Sequence, residues 1–139
     1  MPAKDLYHQV VKKLLINAGW TITHDPYQLK WAKRTLSVDL GAEELLAAQQ
    51  ASRKIAVEIK SFIRESRVAD LQQALGQFIL YDDILKQVEP DRTLYLAMPL
   101  VAYKELFEED QFAKILLDND RFKLIIFDPQ NQEIVQWIP

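Results

Sequence analysis

Two hydrophobic periods alternate along the chain, and each predicts a different kind of element. Leu6, Val10, Leu14 and Ala18 recur at four-residue spacing, which predicts a helix over 4–18 that opens after Pro2 and stops at Gly19. Trp20 to Thr23 then alternates with the period of a strand, and His24-Asp25-Pro26-Tyr27 reads as the turn after it. The basic stretch Lys30 to Arg34, with Trp31 inside it, leads to a second strand over Leu36 to Leu40, ended by Gly41. Leu45 to Gln50 either finishes a strand or turns back toward a third one, Lys54 to Ser61, with Ile55, Val57 and Ile59 on one face. Residues 20–60 therefore predict a three-stranded meander.

The clearest helix spans Val68 to Val88. Its apolar stripe holds Val68, Leu71, Leu75, Phe78, Ile79 and Leu85, and Glu89-Pro90-Asp91 ends it. Thr93 to Met98 is apolar on both faces, as a buried parallel strand is. Helical patterns follow over Pro99 to Phe107 and Asp110 to Leu117. Phe122 to Phe127 and Glu133 to Ile138 predict a final hairpin across Asp128-Pro129-Gln130-Asn131. The order is α-β-β-β-α-β, then helix, strand, strand. It predicts one α/β (α+β) domain over residues 1–139, with a mixed sheet flanked by helices and a right-handed crossover from the third strand to the fourth.

Composition narrows the chemistry. The chain has 139 residues and no cysteine, so disulfides and thiolate metal sites are excluded. A metal would need carboxylates, carbonyls or the two histidines, His8 and His24, and oxygen donors suit Mg2+ or Mn2+. No apolar run approaches the roughly 20 residues of a membrane helix, and the first residues lack an apolar leader core. A cytoplasmic protein with no membrane role is the expectation. The net charge is −3, unevenly spread: residues 1–67 carry 11 Lys/Arg against 7 Asp/Glu (+4), residues 68–139 carry 6 against 13 (−7). The first half suits phosphate and the second repels it.

One constellation carries chemistry. The pattern Glu-any-Lys occurs once, at Glu58 and Lys60, and strand alternation puts both opposite Ile55, Val57 and Ile59. Charges on the inner part of a sheet are costly unless paired or bound to a metal. Asp39 lies 19 residues earlier on the second strand, pointing away from Val38 and Leu40, and a hairpin would bring it beside Glu58. Asp39 and Glu58, with the backbone carbonyl of Ile59, can hold a divalent cation. Lys60 can position or deprotonate the water that attacks a phosphodiester. A buried ion pair that only fixes strand register satisfies the same pattern. On the following helix Gln77 and Tyr81 are four apart and share a face, which Gln73 extends by one turn.

Together these features resemble the PD-(D/E)XK phosphodiesterases, a superfamily with a restriction-endonuclease-like αβββαβ core. Val38 stands where that pattern has proline. Gln77 and Tyr81 look like the Gln-any-any-any-Tyr motif of RecB-type nucleases, where the pair lies near the active site. Superfamily members often present a polar group on the first helix, a place held here by His8, with Asp5 one turn away. His24 fits a turn. Trp31 among Lys30, Lys33 and Arg34 fits either a nucleic-acid contact or a solvated loop. No Gly-rich phosphate loop or Ser-His-Asp arrangement is present.

A denser resemblance runs along nearly the whole chain. Met1-Pro2-Ala3-Lys4-Asp5 with Tyr7-His8, Gly19 to Tyr27, Asp39 to Glu43, Ile55 to Phe62, Gln73 to Gln77, Leu94 to Ala97 and Trp137-Ile138 are similar to the XisH family, the fdxN element excision controlling factors of cyanobacteria. That resemblance implies a part in programmed DNA rearrangement during heterocyst development, with DNA, an XisI-type protein and a site-specific recombinase as partners. Three functions follow from the residues and the resemblance together. One is a metal-dependent DNA endonuclease using Asp39, Glu58, Lys60, Gln77, Tyr81 and His8. Another is a noncatalytic accessory factor that binds the recombinase, XisI or DNA. A third is a metal-independent interaction module or homo-oligomer, to which the strands over Phe122 to Ile138 could offer an edge.

Overall fold

A computed structural model describes residues 6–46 and 51–139. The first helix, α1, runs His8–Asn17. Its buried face is Val11, Leu14 and Leu15, while Leu6 is exposed. The core stripe thus follows the three- and four-residue steps from Val11, not the four-residue ladder from Leu6. Gly19 ends the helix region at φ +100°, a conformation that costs glycine little. The expected helix start at residues 4–5, the acid Asp5 and the turn over 47–50 lie outside the described residues.

The expected meander contains an extra element. Strand β1 is Thr21–His24, β2 Tyr27–Trp31, β3 Arg34–Val38, β4 Leu40–Leu46 and β5 Ala51–Ile59. β2 and β3 form a separate two-stranded hairpin, in register from Tyr27↔Val38 to Trp31↔Arg34. The stretch from Leu36 to Leu40 is therefore two strands, broken at Asp39. Val38 and Leu40 do not share a face: Val38 packs into one core cluster and Leu40 into the other. The period-2 pattern alone does not reveal that bend.

β1 pairs with β4, and β4 with β5, both antiparallel. The long helix α2, Arg67–Val88, crosses from β5 to the parallel strand β6, Arg92–Pro99. Ser66 caps α2 by accepting a hydrogen bond from the Ala69 N–H at 3.1 Å. A short helix α3, Leu100–Tyr103, runs into a π-helical turn, Lys104–Glu109; α4, Lys114–Asp118, follows. β7, Leu124–Asp128, is parallel to β6, and β8, Glu133–Ile138, closes an antiparallel hairpin with β7. Asp128 accepts the Gln130 and Asn131 N–H groups in that turn. The mixed sheet has the order β1-β4-β5-β6-β7-β8.

Two cores flank the sheet. Ile55, Val57 and Ile59 meet Leu14, Leu15 and Trp20 on the α1 side. Ala56, Leu94 and Leu96 meet Leu71, Ala74 and Phe78 on the α2 side, where Tyr27, Leu29 and Val38 of the hairpin join them. The hairpin thus stays folded by burying one face on the α2 side. No helix among the described residues is long and apolar enough to cross a membrane.

Candidate functional site

The sheet brings Asp39 and Glu58 together. β4 and β5 pair Leu40 with Val57, so Asp39, at the bend before β4, reaches the end of β5. There its Oδ2 accepts the backbone N–H of Ile59 at 2.8 Å. Glu58 points to the α2 side of the sheet, opposite its buried neighbours Val57 and Ile59. Burial, together with the hydrogen bond to Asp39 and its negative charge, pushes the Glu58 carboxyl up to about 10; the Asp39 backbone N–H and the Lys60 charge pull it down and do not prevail. Two carboxyls in this relation share a proton or require a cation.

Lys60 lies just past β5 and is held to α2. Its Nζ donates to Gln73 Oε1 at 2.6 Å and lies 4.0 Å from Asp70. Asp70, 1% exposed, also receives Arg64, whose guanidinium reaches Gln73 at 3.2 Å. Sequence reasoning named Gln73 only as an extension of a stripe and missed Asp70. The signal was available: Asp70 precedes Ala74 and Phe78 at four-residue steps, so it falls on the buried face of α2. Tyr81, on the same helix, has its hydroxyl pushed up by burial, then by the charges of Glu58 and Asp39. Gln77 is half-buried, one turn before Tyr81, and Gln73 rather than Gln77 is the glutamine that holds Lys60.

His8 belongs to a second polar group. Its Nε2 shares a 2.7 Å hydrogen bond with Asp25 Oδ1, and Lys12 Nζ donates to Asp25 Oδ2 at 2.7 Å. Burial pushes the Asp25 carboxyl up, but the hydrogen bonds and charges of Lys12 and His8 outweigh it and hold the group below its ordinary value. His24 bonds Thr23 and packs edge-on against Tyr27. The Gly41 Cα faces both rings; a Cβ there would sit 3.0 Å from His24 Nδ1 and 3.1 Å from the Tyr27 ring.

Among the described residues, no three His, Cys, Asp or Glu side chains gather into a metal-binding group. The local donor set is the Asp39 and Glu58 carboxyls, with peptide oxygens and solvent to complete any shell. Its oxygen chemistry matches a hard divalent ion in kind, and such an ion would take the place of the proton that the carboxyl pair shares.

A mixed α+β domain with paired carboxyls where two strands meet under a crossover helix is the class these observations define. The sequence profile of the XisH protein family matches residues 1–135. The chain belongs to the XisH family. It is similar in structure to an fdxN element excision controlling factor from Anabaena variabilis, at 41% identity and a TM-score of 0.84, over 98% of this chain and 100% of that one. An XisH family protein from Nostoc punctiforme PCC 73102 is similar at 40% identity and a TM-score of 0.84, over 97% of this chain and 100% of the other. No curated protein matches the chain by sequence.

Proposed function

We propose that the chain acts in DNA rearrangement as an excision controlling factor, and that it does so as a divalent-metal-dependent DNA phosphodiesterase of the restriction-endonuclease-like kind. The factor role rests on the family and on the name of the Anabaena variabilis structure. The phosphodiesterase reading rests on one observation: the Asp39 and Glu58 carboxyls meet at the end of β5, and Glu58 is pushed up to about 10 there. Asp39 and Glu58 would hold a divalent cation, which would supply Lewis-acid stabilisation of phosphate charge and a lowered pKa for the attacking water. Asp39 is set for this by the Ile59 N–H, which fixes its carboxylate at 2.8 Å. Lys60, tethered by Gln73 at 2.6 Å, holds its charge beside Glu58 and stabilises negative charge on the substrate phosphate. Tyr81, on α2, is near enough to feel the charges of both carboxyls. The element order α1-β1-β4-β5-α2-β6, with the hairpin inserted, supports the same reading.

A second reading has its own observation. Lys60 is engaged by Gln73 and Asp70, and among the described residues no third carboxyl joins the pair, which suits a noncatalytic factor that retains the scaffold and binds DNA, an XisI-type protein or the recombinase. Cleavage of supercoiled plasmid with Mg2+ or Mn2+ decides between them. The expected result is metal-dependent nicking that falls at least about 100-fold in Glu58→Ala and in Lys60→Ala. Absence of cleavage by a folded wild-type protein with either metal supports the accessory factor.

A further inference from the structure

We propose that the β2–β3 hairpin is a contact surface for the phosphate backbone of duplex DNA, and that it lays the duplex alongside Asp39 and Glu58. Residues 26–38 carry Lys30, Lys33 and Arg34 and no acidic residue, in a chain whose net charge is −3. All three cations are exposed, and none forms an ion pair with a described residue. Surface cations elsewhere on the molecule are often neutralised: Lys12, Lys54, Arg64, Arg67 and Lys86 each face a carboxylate. The hairpin tip is therefore a local concentration of uncompensated positive charge, which a polyanion neutralises with release of its counterions.

The hairpin is also built as a rigid arm. Tyr27 and Leu29 of β2 and Val38 of β3 bury its base against the α2-side core. Tyr27 donates to Glu89 at 2.6 Å, and the Arg92 guanidinium lies over its ring at 4.7 Å. Arg92 is itself fixed to the Ile55 carbonyl at 2.9 Å. Beyond Leu29 the same face continues as Trp31, 47% exposed, opposite Arg34, so the tip overhangs the core. Packing accounts for the base and leaves the tip without a partner among the described residues. A two-stranded ribbon is narrow enough to enter the major groove of B-DNA or lie along its edge.

Its position ties it to the candidate site. β3 runs directly into Asp39, five residues after Arg34, which is roughly 17 Å of extended chain. That distance corresponds to about five phosphates along one strand, so a duplex held at the tip passes the carboxyl pair within half a helical turn. This placement of the reacting phosphate rests on the phosphodiesterase reading; DNA binding by the hairpin does not.

Fluorescence anisotropy of the full chain with a short duplex, in EDTA so that no cleavage intervenes, tests it. The Lys30→Ala, Lys33→Ala, Arg34→Ala triple variant is expected to bind at least tenfold more weakly, with the slope of log affinity against log salt smaller by roughly 2–3. A control triple, Lys104→Ala, Lys114→Ala, Arg121→Ala, removes the same charge from exposed positions elsewhere and is expected to bind within about twofold of wild type. Equal affinity of the hairpin variant and wild type, equal loss in both triples, no binding by wild type, or tighter binding to the separated single strand each overturns the proposal. Wild type that binds duplex through the hairpin yet cleaves no plasmid with Mg2+ or Mn2+ overturns the phosphodiesterase reading and leaves the hairpin assignment standing.

Discussion

Asp25 and Glu58 are both carboxyls partly withdrawn from water, and the fold treats them in opposite ways. Asp25 lies between α1 and the end of β1 against His8 at 2.7 Å and Lys12 at 2.7 Å, and its pKa is lowered. Glu58 lies at the end of β5 against a second carboxyl, and its pKa rises to about 10. One group is electrostatically finished and therefore structural. The other has no counter-charge strong enough to ionise it and keeps a proton that an external cation could replace. Unfinished polar groups are where function is sought, and the contrast makes the two regions separable by experiment.

The largest effect expected is at the finished group. Asp25→Ala leaves His8, 3% exposed, without its acceptor and Lys12 without its counter-charge. It should destabilise the protein by about 2–4 kcal/mol, read by urea unfolding. Next, Mg2+ or Mn2+ at about ten times its dissociation constant should stabilise wild type by about 1.4 kcal/mol, and about 2.7 at a hundredfold excess. Glu58→Gln should abolish that gain. Thermal melts with and without the ion check this, and an equal shift in the variant would place the ion elsewhere.

Glu58→Gln should itself stabilise the metal-free protein by about 1–2 kcal/mol at pH 8, the opposite sign to Asp25→Ala, because Gln is neutral without the proton that Glu58 must take up on folding at that pH. The pH dependence follows with the same contrast. Glu58 is raised from 4.5 to about 10, so the native state binds its proton more tightly than the unfolded chain does. Stability from that proton is full below pH 4.5 and is lost as pH rises toward 10. Asp25 is lowered from 3.8, so its contribution is present above that value and is lost as pH falls through the folded pKa. Metal-free unfolding at pH 5, about 7 and about 9 should therefore show a decline that Glu58→Gln flattens and Asp25→Ala does not. The smallest effect is at Tyr81→Phe, within about 0.5 kcal/mol of wild type in stability. A larger loss would give the hydroxyl a structural partner in place of its position beside Glu58.

Much of this was legible in the residues. Glu58 and Lys60 opposite Ile55, Val57 and Ile59 is a period-2 statement, and β5 obeys it. The long amphipathic run from Val68 to Val88 and the parallel strand after it are equally local. Alternation puts Asp39 beside Glu58 on a continuous strand, whereas the chain bends there and sends Val38 and Leu40 to opposite cores. Alternation reports which face a side chain takes relative to its neighbours, but not where a strand changes sheets. The basic stretch at Lys30 to Arg34 hid a hairpin turn because Ala32-Lys33 lacks the Gly or Asn that usually marks one; Ala32 takes φ +54° regardless.

The sequence by itself determined the periodicities, the absence of cysteine chemistry, the family, and the one Glu-any-Lys pair on a strand. Those are properties of neighbours along the chain, and burial of apolar area acts on them wherever the chain folds. Only the tertiary structure decided which charges meet. The pairing of Leu40 with Val57 sets Asp39 against Glu58, Gln73 rather than Gln77 takes Lys60, and His8 goes to Asp25. Electrostatic partnership depends on separations of a few ångströms between residues 13 to 20 positions apart, and strand register and helix packing fix those separations.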